Sequence, residues 1–186
     1  ALYEAAKAYG LVGDLYRQVG EFEHARTAFH KYLLWAKKSG DRDLIQVATL
    51  AEAWISLDVG DLTHAAERVS SVENHLEARP SPQLRAYLSG ARALVSAGRG
   101  QHKEAAEQLH RVAEQWERLG DINRADTLRA QEVRSLIACG EVDEAKKIVE
   151  ATLTRLDPNR EPALVAVFLR EQALLKLRIR KPEEAL

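Results

Sequence analysis

The chain has 186 residues, of which 46% are hydrophobic and 30% charged, a composition typical of a folded domain. Its 27 lysines and arginines nearly balance 28 aspartates and glutamates, which argues against direct nucleic-acid contact. The single cysteine cannot form an internal disulfide, and the longest apolar run, residues 163–169, is too short to cross a bilayer. These features predict a cytoplasmic protein without a membrane-spanning segment.

A forty-residue repeat organises the chain. Glycines recur at this spacing, and an alanine follows each glycine five residues later: Gly20, Gly60, Gly100 and Gly140, then Ala25, Ala65, Ala105 and Ala145. The next unit has Arg180 in place of glycine but keeps Ala185. Glycine tolerates the left-handed conformation that closes a helix, and a polar residue behind it suits the start of the next helix. Each glycine is therefore predicted to separate two helices.

A second set of helix breaks lies half a period away, at Gly40–Asp41, Pro80–Ser81–Pro82, Gly120–Asp121 and Asp157–Pro158–Asn159. The acidic residue or serine in each break can cap the following helix. Between the breaks, apolar residues recur at spacings of three and four. In chain order the predicted helices are 2–19, 22–38, 42–59, 62–78, 82–98, 102–118, 122–139, 142–156 and 161–179, and a further helix is expected to begin at Pro182.

The repeats form one predicted domain, 1–186, of about four and a half units: 1–40, 41–80, 81–120, 121–160 and a truncated 161–186. A helix hairpin cannot cover its own apolar face, so an array that stops inside a unit is expected to continue or to be capped. The chain also contains no methionine. We therefore interpret it as a fragment of a longer protein.

The first unit carries a family resemblance, in Tyr9, Val12, Gly13, Tyr16, Gly20, Phe22, Ala25 and Phe29. These residues match the positions of the tetratricopeptide repeat, and later units keep its small residues while losing most aromatic ones. The resemblance implies an all-α, right-handed α-solenoid of antiparallel helix pairs. The forty-residue form is similar to the arrays of bacterial maltose-activator-type regulators, peptide-sensing regulators and kinesin light chains. A HEAT-type solenoid has a similar period, but it offers no reason for the glycine-to-alanine spacing.

Small and large residues have separate predicted packing roles. The repeated alanine lies one turn into the second helix, where a methyl group allows close approach to the first helix, and a larger side chain would overpack. Phe29 and Leu109 are expected to fill the space between neighbouring helices. Gly90 and Gly98 lie in one predicted helix and indicate either a close approach to another chain or a bend.

Motifs of catalysis and cofactor binding are not found in the sequence: there is no paired-cysteine metal spacing, His-Glu-x-x-His or phosphate loop. We therefore predict no enzyme activity, no cofactor and no metal. His24 and His64 occupy equivalent positions, which suits either a ligand pair or solvated helix starts. Cys139 is either a reactive thiol or, since its position matches Val19 and Val59, a small core residue.

In the tetratricopeptide family, first helices line a concave groove that holds a peptide or a partner helix. The resemblance places the following residues on that groove: Val47, Leu50, Trp54, Tyr87, Leu94, Arg134 and Arg170. Apolar side chains on such a surface indicate a partner, with Trp54 as the leading contact residue. The alternative is that the long helices bury Val47, Leu50 and Leu57 against one another.

A basic cluster falls on the last two first helices, at Arg129, Arg134, Arg170, Lys176, Arg178, Arg180 and Lys181. It suits either a carboxylate or phosphate on a partner, or a solvated face.

Two functional hypotheses follow. The first is a scaffold that binds a protein or peptide, as a helix or an extended segment, within a larger bacterial regulator. The second is a sensor in which a small inducer controls self-association. Neither involves direct nucleic-acid or membrane contact by this segment.

Overall fold

The computed structural model describes the backbone of residues 1–180 and the side chains of residues 1–179. Helices joined by turns make up this span, which contains no strand. The helices are α1 (Leu2–Gln18), α2 (Phe22–Ser39), α3 (Arg42–Asp58), α4 (Leu62–Asn74), α5 (Pro82–Gly98), α6 (His102–Arg118), α7 (Ile122–Cys139), α8 (Val142–Arg155) and α9 (Pro162–Arg180). The predicted all-α class is confirmed for these residues. Lys181, Ala185 and the helix predicted to begin at Pro182 lie outside the described residues.

Helix α4 is shorter than predicted, since it ends at Asn74 rather than near residue 78. Pro80 disfavours a helical conformation for the residue before it, which shortens the available helix from its end. A contact from α3 adds to this effect, because Gln46 Nε2 donates a hydrogen bond to the carbonyl of His75 at 2.8 Å. If the helix continued, that carbonyl would accept from the amide of Arg79. The early end is therefore partly a tertiary effect.

The predicted turn glycines adopt the left-handed conformation, with φ of 81° at Gly20, 83° at Gly60, 80° at Gly100 and 88° at Gly140. At the first turn the amide of Glu21 donates to the carbonyl of Tyr16 at 2.9 Å, and the amide of Gly20 donates to that of Arg17 at 3.2 Å. This double hydrogen bond is the Schellman motif, which closes a helix and reverses the chain. The same pair of hydrogen bonds surrounds Gly60, Gly120 and Gly140.

Side-chain caps begin four of the helices. The acceptors and the amides they bind are Asp41 with Leu44 at 2.8 Å, Asp61 with His64 at 3.0 Å, Ser81 with Leu84 at 3.1 Å and Asp121 with Arg124 at 3.0 Å. The caps predicted at the half-period breaks are thus confirmed at Asp41, Ser81 and Asp121. Asp157 differs, because its Oδ1 accepts from the amide of Asn159 at 2.9 Å within the loop.

The chain divides into two compact units, and residues 1–99 form the first. Each helix of α1–α5 packs against the next one, and α3 also contacts both α1 and α5. The buried side chains of Phe29, Tyr32 and Leu33 on α2 join those of Leu44 and Ile55 on α3 in one core. First helices therefore contact one another within this unit, in addition to their hairpin partners.

Two glycines mark close helix approaches in this unit. A β-carbon at Gly13 of α1 would overlap the ring of Phe29 on α2. One at Gly98 of α5 would lie 2.8 Å from Leu62 Cδ1 on α4. Close approach within the chain therefore accounts for Gly98, whereas Gly90 is buried within α5.

The second unit begins at residue 100 and includes α6–α9. Successive helices pack together here as well, and α7 also contacts α9. Val133 of α7 and Val149 of α8 share a core with Leu164 and Phe168 of α9. The four repeat alanines are fully buried, as are Phe29 and Leu109, which agrees with a core position for each of them.

No helix within residues 1–180 has the length and apolar character needed to cross a bilayer.

Candidate functional site

The predicted groove residues of the first unit differ in accessibility. Leu50 and Trp54 on α3 are 0% and 5% exposed, so neither side chain offers a surface to a partner in this conformation. Val47 on the same helix and Tyr87 and Leu94 on α5 are partly exposed. Because α3 packs against α5, these partly exposed side chains belong to neighbouring first helices. Leu50 is therefore buried, as in the alternative interpretation of the groove residues. Val47, Tyr87 and Leu94 remain accessible as candidate partner-binding residues.

Trp54 is covered by α1 rather than left open as a contact residue. The guanidinium of Arg17 lies 5.0 Å from the centre of the indole ring, within cation–π range. Arg17 Nη1 also donates to Asp58 Oδ2 at 3.1 Å. Burial raises the pKa of Asp58, which the positive charge of Arg17 partly offsets. Arg17, Trp54 and Asp58 thus form an internal contact between α1 and α3.

The two predicted groove arginines of the second unit share one carboxylate. Arg134 Nε of α7 donates to Glu171 Oε1 of α9 at 2.8 Å, and Arg170 Nη2 donates to the same oxygen at 2.8 Å. Glu171 is 0% exposed. Burial raises its pKa, while Arg170 acts in the opposite direction. The structure therefore brings Arg134 and Arg170 together as partners of a buried acid.

Arg129 of the basic cluster also has acidic neighbours within the chain. Arg129 Nη2 lies 2.6 Å from Glu117 Oε1, and its Nη1 donates to Asp126 Oδ1 at 3.0 Å. Arg155 donates to the same oxygen of Asp126, which is fully buried. Intramolecular ion pairs thus explain much of the cluster. Lys176 is exposed, and the side chains of Arg180 and Lys181 lie outside the described residues.

A cleft of about 530 Å³ opens among α6, α7 and the start of α8 in the second unit. Three of its residues are on α7, namely Glu132, Leu136 and Cys139. The others are Lys103, Ala106, Glu107, His110 and Arg111 on α6, and Glu141 and Glu144 at the start of α8. On α7 these three residues lie on the side opposite Arg134, given 3.6 residues per helical turn. The cleft is therefore separate from the predicted groove.

Glu132 is the buried acid of this cleft, at 4% exposure. Its Oε1 lies 3.0 Å from His110 Nδ1, which can donate a hydrogen bond to it. Burial raises the pKa of Glu132, His110 and Arg129 act in the opposite direction, and the nearby Glu144 adds to the rise. Its second oxygen, Oε2, is buried and has no hydrogen-bond partner among the described residues. Asp126 Oδ2 and Glu171 Oε2 are likewise buried without a hydrogen-bond partner in that part of the chain, but neither residue lines the cleft.

The interpretation of Cys139 as a small core residue is wrong, because this residue is exposed and lines the cleft. Its thiol donates to the carbonyl of Leu136 at 3.5 Å. The equivalent residues Val19 and Val59 are also exposed, at 67% and 41%. The comparison between repeats was therefore valid, but this position at the helix end lies on the surface.

His24 and His64, which occupy equivalent positions in the repeat, make different contacts. His24 stacks on Tyr16 with ring centres 5.1 Å apart, while His64 Nε2 accepts from Arg68 Nε at 3.2 Å. Within the described part of the chain, no group of three or more His, Cys, Asp or Glu side chains is placed to hold a metal ion.

The buried acids were not identified from the sequence, although the repeat contains a signal for two of them. Glu171 occupies the position of Ala51 and Ala91 in earlier units, and Asp126 occupies that of Ala86. A charged residue in place of a repeat alanine indicates a buried ion pair. Glu132 has no such signal, because its equivalents include Glu52 and Arg92.

A scan against models of known protein families gives no match, and a search of curated proteins finds no matching relative.

Proposed function

We propose that this chain is a tetratricopeptide-like α-solenoid scaffold that binds a protein or peptide partner through its first helices, as part of a larger bacterial regulator. The single observation that supports it most is the row of partly exposed apolar side chains, Val47, Tyr87 and Leu94, on the packed first helices α3 and α5. Apolar side chains on a rigid helical surface provide the anchor pockets that peptide recognition requires.

The helix hairpins support the same proposal. Schellman turns recur at Gly20, Gly60 and Gly140, and first helices contact one another within the first unit. Stacked hairpins of this kind create extended binding surfaces in repeat proteins. Leu50 and Trp54 are buried and are therefore not part of the proposed binding surface.

A peptide library displayed on phage and selected on the full chain tests this proposal. Selected peptides should lose at least about tenfold in affinity for the Leu94→Glu variant, because a carboxylate replaces an apolar contact. Leu34→Glu is the matched control, since Leu34 is an exposed leucine on the second helix α2. Equal loss in both variants, or no selected peptide that depends on Leu94, would contradict the proposal.

A second candidate is a sensor whose small ligand controls self-association, and the cleft in the second unit favours it. Its volume of about 530 Å³ is within the usual range for small-molecule sites. A metabolite panel should then include a compound that raises the melting temperature and changes the sedimentation coefficient without any protein partner. Stabilisation without any change in sedimentation would support binding but contradict the control of self-association.

A further inference from the structure

Among the described residues of the second unit, three carboxylates are buried: Asp126, Glu132 and Glu171. Arginine side chains hydrogen-bond to two of them. Arg129 and Arg155 donate to Asp126, and Arg134 and Arg170 donate to Glu171. Glu132 differs, because the hydrogen-bonding group beside it in the described part of the chain is the imidazole of His110. Unlike a guanidinium, an imidazole carries no permanent positive charge, so no permanent cation is hydrogen-bonded to Glu132 among the described residues.

An uncompensated buried carboxylate is costly, because burial removes the water that stabilises its charge. Its position in the cleft lets an external cation provide the missing compensation. Oε2 of Glu132 is the free acceptor, and Glu132 itself is part of the cleft lining. Because Oε2 is buried, the carboxylate must rotate toward the cleft before this oxygen can meet a bound group. The geometry therefore suits a ligand that brings both a positive charge and hydrogen-bond donors.

The other residues that line the cleft also favour a cationic ligand. Four of the cleft's charged residues are glutamates, Glu107, Glu132, Glu141 and Glu144, against two permanent cations, Lys103 and Arg111. Glu144 is already ion-paired with Lys147 at 2.9 Å, and the remaining excess of one carboxylate attracts a cation and disfavours an anionic ligand. Ala106 and Leu136 add an apolar wall, which suits methylene groups.

We propose that the cleft among α6, α7 and α8 binds a primary ammonium group on a short aliphatic stem, with Glu132 as its ion-pair partner. The ammonium has three N–H donors, of which one meets Glu132 Oε2 and the others face the glutamates around the cleft. The stem lies along Ala106 and Leu136. A free aliphatic amine and a lysine side chain share this chemistry. This inference concerns the second unit, whereas the peptide-binding proposal concerns the first, and it is tested separately.

The test uses the full chain labelled with ¹⁵N and titrated with cadaverine or with N-acetyl-lysine-N-methylamide, while amide chemical shifts are followed. Saturable shifts are expected around His110, Leu136 and Cys139. Cys139, the single cysteine, provides a second readout, because a bound amine should slow its alkylation by N-ethylmaleimide. 1-Pentanol serves as the uncharged control and should produce no saturable shift.

Two variants separate binding from folding. Glu132→Gln keeps the shape of the side chain but removes its charge, and should raise the Kd for the amine about tenfold or more. Glu171→Gln is the matched control, because Glu171 is equally buried but lies outside the cleft lining. Its Kd should match that of the unaltered chain. If Glu132→Gln fails to fold, Glu107→Lys at an exposed cleft position provides the same test, since it also weakens the attraction for a cation.

The result identifies the source of the ammonium group. Binding of cadaverine alone supports a free amine, whereas binding of the lysine derivative supports a lysine side chain of a partner. The proposal would be overturned by the absence of saturable shifts with both compounds, by equal binding of 1-pentanol, or by an unchanged Kd in folded Glu132→Gln.

Discussion

The ring of Phe29 packs directly onto the backbone of Gly13, so that at this point only this ring lies between α1 and α2. Phe29 is almost completely buried, which leaves its ring little room to move. This contact explains why the small residue of the first repeat is a glycine.

Replacing Gly13 with alanine should lower the free energy of unfolding by about 1–3 kcal/mol, because the added methyl group overpacks against the ring of Phe29. Urea denaturation followed by circular dichroism measures the change. Gly10→Ala is the control, because the added methyl group meets less crowding at this position. Its β-carbon would lie 3.0 Å from Tyr32 Cε1, and the gain in helix propensity offsets part of that crowding. A smaller loss for Gly13→Ala than for Gly10→Ala would contradict the packing argument.

Removing Arg17 should expose Trp54 and leave Asp58 without its ion-pair partner. We expect Arg17→Ala to lower the free energy of unfolding by about 1–3 kcal/mol, through lost packing and the unpaired carboxylate. Tryptophan fluorescence should shift to longer wavelength, since water reaches the indole ring. The control is Arg26→Ala, because Arg26 is an exposed residue whose ion pair with Glu23 is also exposed. Its effect should be below about 0.5 kcal/mol, and comparable losses in the two variants would be inconsistent with this explanation.

Arg134 and Arg170 should act together, because both donate to Glu171 Oε1. Either single alanine variant leaves one guanidinium with the buried acid, whereas the double variant leaves the carboxylate without a charged partner. The double variant should therefore cost about 3–5 kcal/mol, more than the sum of the two single effects. A double-mutant cycle from urea denaturation measures the coupling. Additive effects would show that the two arginines do not share the acid.

The raised pKa of Glu132 makes a pH prediction with a definite sign. A carboxyl group with a raised pKa in the folded state binds more protons there than in the unfolded chain. Its contribution to stability is therefore full below the ordinary pKa of 4.5 and is lost as pH rises through the folded-state value. Glu132→Gln cannot lose a proton, so it should be more stable than the unaltered chain at pH 7, with a smaller difference at pH 4.

Urea denaturation from pH 4 to pH 7 measures this dependence. His110→Ala is the companion variant, because His110 acts to lower the pKa of Glu132. Its removal should raise that pKa further and steepen the loss of stability with rising pH. A Glu132→Gln variant with the same pH profile as the unaltered chain would rule out Glu132 as the titrating group.

The repeat pattern did not predict that Glu132 and Glu171 are buried acids. The repeat register identified equivalent positions correctly, including the shared position of Cys139 and Val59. It did not predict that this position is exposed, nor that Arg134 and Arg170 face the same acid. Trp54 was selected as a contact residue because it is a large aromatic on a first helix. Its cover by Arg17 depends on where α1 lies against α3.

By itself, the sequence determined the helices and their turns. A left-handed glycine, a Schellman hydrogen bond and an aspartate cap each involve residues no more than five positions apart, so local chemistry is sufficient to specify them. The tertiary structure decided which charges are buried, which arginines neutralise them, where α4 ends and where the cleft opens. These features join residues from different helices, and their energies depend on burial and distance, which residue spacing does not specify.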